Sequence, residues 1–149
     1  MHVTIYDSQQ ALELDHERVE RLVKAFLNWK KISPQEVILH FVDKNRICTM
    51  HAKYFSDPSP TDCITFPIDS PTAKPCIVLG EVFICPQVAI ETAEKLQEDP
   101  YRECALYIVH GLLHLLGHED ETEAGQKTMR LEESAALDHL SKEDSLLQE

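Results

Sequence analysis

The stretch from Ala105 to Leu116 constrains this chain most. It is apolar nearly all round, so as a helix it has to be buried. Yet it carries His110 and His114, four residues apart and therefore one turn from each other on one helix face. Buried imidazoles need partners, and one metal ion shared by both is the economical solution. Gly117 follows three residues after His114, where a left-handed turn can end a helix. His118 and Asp120 lie just past that turn as candidates for a third ligand. The spacing H-x-x-x-H-x-x-G-x-x-D is that of the zincin helix with its glycine turn, with Asp in the last place where His is usual. The alternative is a buried helix carrying two core histidines with ordinary partners.

Zinc favours imidazole nitrogen and carboxylate oxygen, and a catalytic zinc keeps one position open. His110, His114 and one further ligand leave that position for water, whose pKa zinc lowers towards ~7. Asp120 is the preferred third ligand, because it sits where a residue returns after a glycine turn. His118, one place past Gly117, is the alternative. Gly111 follows His110 where zinc peptidases carry a glutamate base, so a peptidase mechanism is poorly supported. Glu119 and Glu121 are candidate bases, but acidic side chains there equally suit the start of a following helix. The same ligands would accept Ni²⁺ or Co²⁺.

The length of 149 residues suits a single domain spanning 1–149. No segment approaches the roughly 20 apolar residues of a membrane span, and no secretory signal is evident at the start. Cys48, Cys63, Cys76, Cys85 and Cys104 are scattered, odd in number and without a C-x-x-C pair. That argues against a disulfide framework and for buried free thiols in a reducing cytoplasm. The net charge of −12 disfavours non-specific binding to nucleic acid. It is unevenly spread: residues 1–53 sum to +1 and residues 54–149 to −13. A phosphate-bearing partner would meet the N-terminal half, around Arg18, Arg21, Lys24, Lys30, Lys31, Lys44, Arg46 and Lys53, unless those cations are simply a solvated helix face.

Patterning predicts strands at Val3–Tyr6, Val37–Val42, Cys63–Phe66 and Ile77–Cys85. It predicts helices from an Asp15 cap to about Trp29, over Ile47–Phe55, from Pro86 to Leu96, from Tyr101 to Leu116 and from Glu121 to Leu140. The tail after Ser141 is expected to fray. His40 reads as structural; His2, His16, His51 and His139 read as peripheral, and Trp29 as core. The fold class is α+β: a small mixed β-sheet packed with about five helices, the histidine helix at the centre.

Three segments together carry a family resemblance. The run His110-Gly111-Leu112-Leu113-His114-Leu115-Leu116-Gly117-His118-Glu119-Asp120 resembles H-G-x-L-H-L-x-G-Y-D-H, the signature of the YbeY family of bacterial ribosomal-RNA maturation factors. Pro60-Thr61-Asp62-Cys63-Ile64-Thr65-Phe66-Pro67 resembles the family's P-T-D-V-L-S-F-P, and Gly80-Glu81-Val82-Phe83-Ile84-Cys85 its G-D-I-x-I-(C/S). Asp120 stands in place of the final histidine. Phe55 stands after Tyr54 where the family usually has an arginine, with Lys53 or Arg46 as possible substitutes.

The resemblance implies a single-strand-specific, metal-dependent endoribonuclease. It would hold one Zn²⁺ per chain and act on the 3′ end of small-subunit (16S) rRNA and in ribosome quality control. Its partners would be single-stranded rRNA and the small subunit or its associated proteins, in the cytoplasm, with neither membrane nor DNA. His110 and His114 would be catalytic as well as ligands. Lys53, Thr61, Asp62 and Thr65 would bind substrate, although Thr and Asp beside Pro also serve as plain turn caps. Two alternatives stand beside this reading: a ribosome-associated binding module with a structural or degenerate metal site, and a zinc hydrolase of another substrate.

Overall fold

Acidic and hydroxyl side chains punctuate this chain and decide where its helices begin. The structure, a computed structural model, describes residues 1–149. It runs β1 (His2–Asp7), α1 (His16–Trp29), β2 (Glu36–Phe41), α2 (Lys44–Phe55), β3 (Cys63–Pro67), β4 (Val78–Ile84), α3 (Pro86–Leu96), α4 (Pro100–Leu115) and α5 (Glu123–Lys142). Asp15, Asp43, Asp99 and Thr122 each accept a hydrogen bond from a backbone N–H of the first turn that follows, satisfying donors that no helix can pair internally. Asp43 explains why α2 starts at Lys44, three residues before the predicted Ile47. Thr122 explains why α5 starts at Glu123 and not at Glu121.

The sheet order is β1-β2-β4-β3. β1, β2 and β4 are parallel, and β3 is an antiparallel edge strand on β4. Alternate residues turn to one face: Val37, Leu39 and Phe41 on β2, Val82 and Ile84 on β4, all fully buried. Against this inner face pack α1, through Leu22, Val23 and Phe26, and α4, through Ile108, Leu112 and Leu113. Burying each of these larger side chains contributes about 1.5–3 kcal/mol. α5 closes the layer with Met129, Ala136 and Leu140. α4 is therefore the central helix, as its all-round apolarity predicts.

Gly111 lets α4 sit this close. A Cβ at that position would lie 2.5 Å from Val82 Cγ1 on β4. The residue in the place of a peptidase base therefore faces the sheet and not the metal ligands.

The outer face is covered only in part. α2 packs Ile47 and Met50 on Val42, Ile64 and Cys85, a second and smaller core. The outer sides of β1 and β2 remain open, an arrangement set by which strand α2 crosses.

The expected fraying after Ser141 is not observed. Ser145 and Leu147 are buried, Ser145 N–H donates to Leu140 O at 2.8 Å, and Arg18 Nε donates to Leu146 O at 3.2 Å. The pair Leu146-Leu147 gives the tail enough apolar surface to dock. His139 is not merely peripheral either: its ring stacks on Trp29, centroids 4.9 Å apart, on the flank of the main core. All five cysteines are free, and no helix is long and apolar enough to cross a membrane.

Candidate metal centre

One turn of α4 brings the two imidazoles together edge to face, centroids 4.6 Å apart. The helix then stops in a Schellman turn. Gly117 takes φ +99°; its N–H donates to His114 O and that of His118 to Leu113 O, both at 3.0 Å. The turn sends the chain back across the helix end, so Asp120 Oδ2 lies 3.6 Å from His110 Nε2 and 3.6 Å from His114 Nε2. The two Nε2 atoms are 3.0 Å apart. His118 commits its backbone to the turn, and its ring lies where it influences Glu132, outside the three-residue cluster.

This triangle can be tested against metal chemistry. A tetrahedral zinc with Zn–N and Zn–O bonds of about 2.0–2.1 Å needs ligand atoms about 3.3 Å apart. The observed edges of 3.0, 3.6 and 3.6 Å bracket that value. Two neutral nitrogens and one carboxylate oxygen are a donor set that zinc accepts. Three protein ligands leave a fourth position for water or substrate.

Glu133 on α5 orients the first histidine. Its Oε2 lies 2.6 Å from His110 Nδ1 and its Oε1 accepts from Arg130 Nη1 at 3.0 Å. A carboxylate on Nδ1–H fixes the tautomer that leaves Nε2 free to bind a metal. Burial alone would push His110 down, but the Glu133 bond and the charges of Asp62, Glu133 and Asp120 outweigh it, and its pKa is raised. Burial likewise favours the neutral acid at Glu133, which is only 4% exposed. Its bonds to His110 and Arg130 prevail, and its pKa is lowered.

A groove of about 540 Å³ opens beside His110. Thr61 and Asp62 form one rim, just before β3, and Tyr107 and Glu103 on α4 form part of the wall. Asp62 accepts from Cys63 N–H at 2.7 Å, which holds the rim in place. Burial raises the Glu103 carboxyl and, more strongly, the Tyr107 hydroxyl. With Glu98, Glu103, Asp62 and Glu133 on the walls, Arg130 is the one Lys or Arg that lines the groove.

The sequence-predicted residues divide accordingly. His110, His114 and Asp120 come together; Thr61 and Asp62 line their groove. Thr65 turns inward beneath α4, its Cγ2 within 3.4 Å of the place a Gly111 Cβ would occupy. Lys53 does not join them: it lines a different groove, with Phe66 and Phe83, on the outer face of the sheet. Glu133, Arg130 and Tyr107 were missed. The first has a visible signal, since it interrupts the apolar stripe of Met129, Ala136, Leu137 and Leu140 with a charge.

The Endoribonuclease YbeY family pattern matches residues 4–141. An Endoribonuclease YbeY of Protochlamydia amoebophila is 41% identical over 136 residues, covering 91% of each chain. That of Chlamydia trachomatis serovar D is 40% identical over 147 residues, covering 97% of this chain and 91% of the relative. The solution structure of TM1509 from Thermotoga maritima shares the fold, with a TM-score of 0.67 at 21% identity over 95% of this chain and 91% of that one. Sequence signature, full-length relatives and fold converge: the chain belongs to the Endoribonuclease YbeY family.

Proposed function

We propose that this protein is a metal-dependent endoribonuclease that cuts single-stranded RNA, with the 3′ end of 16S rRNA as its substrate and a part in ribosome quality control in the cytoplasm. The observation that carries the reading is the triangle of His110, His114 and Asp120, backed by a buried Glu133. Family membership supplies the substrate class, since the relatives are named endoribonucleases.

His110, His114 and Asp120 would hold one divalent ion, zinc by donor type. When bound, the ion supplies Lewis-acid polarisation of a phosphoryl oxygen and eases deprotonation of water. Glu133 keeps His110 in the tautomer that the ion requires. The acidic groove walls repel phosphate, so without a cation a phosphodiester has little reason to enter. Arg130, 72% exposed at the groove, is the side chain placed to take a phosphate oxygen. Thr61 and Asp62 bound the path of the strand on the β3 side. A peptidase reading loses its base, because residue 111 faces Val82.

The test is paired. Bound metal per chain is measured by elemental mass spectrometry on the wild type, His114→Ala, Asp120→Ala and His118→Ala. Cleavage of a single-stranded RNA that carries the 16S 3′ junction is measured on the same samples. One zinc per chain, lost in the first two variants together with cleavage and kept in His118→Ala, supports the reading. Stoichiometric zinc with no RNA cleavage would instead favour a binding module.

A further inference from the structure

Five aromatic rings run in a row across the outer face of the sheet, far richer in rings than a solvent-facing sheet surface needs. Tyr6 of β1 stacks on His40 of β2, centroids 5.0 Å apart. His40 stacks nearly parallel on Phe83 of β4 at 4.1 Å. Phe83 meets Phe66 of β3 at 5.7 Å, and Phe66 meets Tyr54 of α2 at 5.1 Å, both edge to face. The row thus crosses all four strands. Its two ends are open to solvent, Tyr6 at 58% and Tyr54 at 50%. Water-facing sheet surfaces ordinarily carry polar residues, and an exposed aromatic patch marks a binding surface.

Charge decides what it binds. Arg46 and Lys53 line the groove above Phe66 and Phe83, and neither forms an ion pair within the protein. Two carboxylates also lie on this face, Glu81 beside His40 at 2.8 Å in the same groove and Glu36 accepting from Thr4 at 2.5 Å, and neither pairs with Arg46 or Lys53. In a chain of net charge −12, this is a place where cations without an ion-pair partner flank aromatic rings, Lys53 Nζ lying 5.2 Å from the Tyr54 ring centroid. Rings that accept any base and cations that accept any phosphate are the elements of a single-strand binding surface. Topology links it to the metal groove. Edge strand β3 turns Phe66 outward and Thr65 inward, and the chain leads from Tyr54, in the last turn of α2, to Thr61 and Asp62 on the groove rim.

We propose that this outer face is a platform for single-stranded RNA, on which Tyr6 and Tyr54, the exposed ends of the row, stack bases while Arg46 and Lys53 take phosphates, and from which the strand passes over β3 to the metal centre. The platform rests on the ribonuclease reading for its ligand but uses none of the metal ligands.

Fluorescence anisotropy with a labelled oligouridylate of twelve nucleotides, on the full chain in EDTA so that cleavage is blocked, measures the platform directly. Tyr6→Ala and Tyr54→Ala each weaken binding about 5- to 140-fold if each ring stacks one base. Tyr6→Phe keeps wild-type affinity. Arg46→Gln and Lys53→Gln each flatten the slope of log K against log salt by about 0.7. Both tyrosines are at least half exposed, so the variants fold.

Wild-type affinity in the tyrosine variants, or no binding by the wild type, overturns the proposal. So does a fall in oligomer mass in Tyr6→Ala without change in RNA affinity, which assigns the face to a second copy of the chain. Outcomes for the two readings separate. Cleavage that survives with unaltered KM in Tyr6→Ala removes the platform and leaves the nuclease. Ring-dependent binding without any cleavage in zinc removes the nuclease and leaves the platform.

Discussion

The two faces of the sheet use opposite physics. The inner face is sealed by α1 and α4, with α5 packed behind α4, and at its margin His110 is held by the buried Glu133. The outer face is half covered by α2, and its aromatic row is open to water at both ends. Where position must be exact to tenths of an ångström, as for metal ligands, side chains are fixed by packing and second hydrogen bonds. Where a flexible strand of varied sequence is to be gripped, tolerant contacts such as ring faces suffice. Rigidity and tolerance are thus separated by the thickness of one β-sheet.

The largest effect belongs to the ligands themselves: Asp120→Ala or His114→Ala abolishes stoichiometric zinc in elemental analysis while the metal-free fold, read by circular dichroism, persists. Next is Glu133→Gln, which retains the side-chain shape but weakens the hold on His110. A 10- to 100-fold loss of zinc affinity is expected in a competitive chelator titration, and unchanged affinity would remove Glu133 from the site. On the packing side, Leu112→Ala costs about 2–5 kcal/mol, seen as a melting temperature lower by roughly 4–20 °C. Tyr6→Ala, on the open face, is expected to stay within about 0.5 kcal/mol of wild type. Similar costs at the two positions would erase the distinction between the faces.

A smaller effect is set by pH. Glu103 is held above its ordinary value by burial, with Glu98, Asp62 and Glu133 facing it and Tyr107 alone offering a hydrogen bond that opposes the shift. A carboxyl raised in the folded state contributes stability below its unfolded pKa, and that contribution is lost as pH rises through the folded value. Glu103→Gln, unable to ionise, therefore gains on the wild type as pH rises above about 4, where the unfolded carboxyl begins to ionise, in paired urea melts. A constant difference would show that Glu103 is already solvated. Smallest in energy, though easy to read, is thiol chemistry. Burial pushes Cys104 up to about 12, so native-state alkylation at neutral pH spares it and starts at half-buried Cys48.

Much of this was legible because it was local. The i, i+4 spacing of His110 and His114 fixes a shared helix face, and Gly117 announces the turn that returns Asp120. The strands at 37–42 and 63–66 are read from β-branched and aromatic content. The order β1-β2-β4-β3 was not legible, since nothing in the spacing of Glu36 and Val78 says that they pair. Glu133 is separated from His110 by 23 residues, and only the docking of α5 on α4 joins them. Lys53 went astray for the related reason that helix α2 lies on the other side of the sheet. The tail after Ser141 reads as polar and terminal, and its docking depends on Leu146 meeting α1.

The locality of the ligands has a thermodynamic consequence. His110, His114 and Asp120 fall within one short segment, so the unfolded chain already carries all three close together and competes for zinc. A ligand stabilises a fold only by the excess of its affinity for the native over the denatured ensemble. That excess comes from the Schellman turn at Gly117 and from Glu133, which preset what the unfolded segment would have to order at its own cost. Zinc is therefore expected to shift the melting curve of this protein far less than affinity for the native site alone would give, and Glu133→Gln to shrink even that shift.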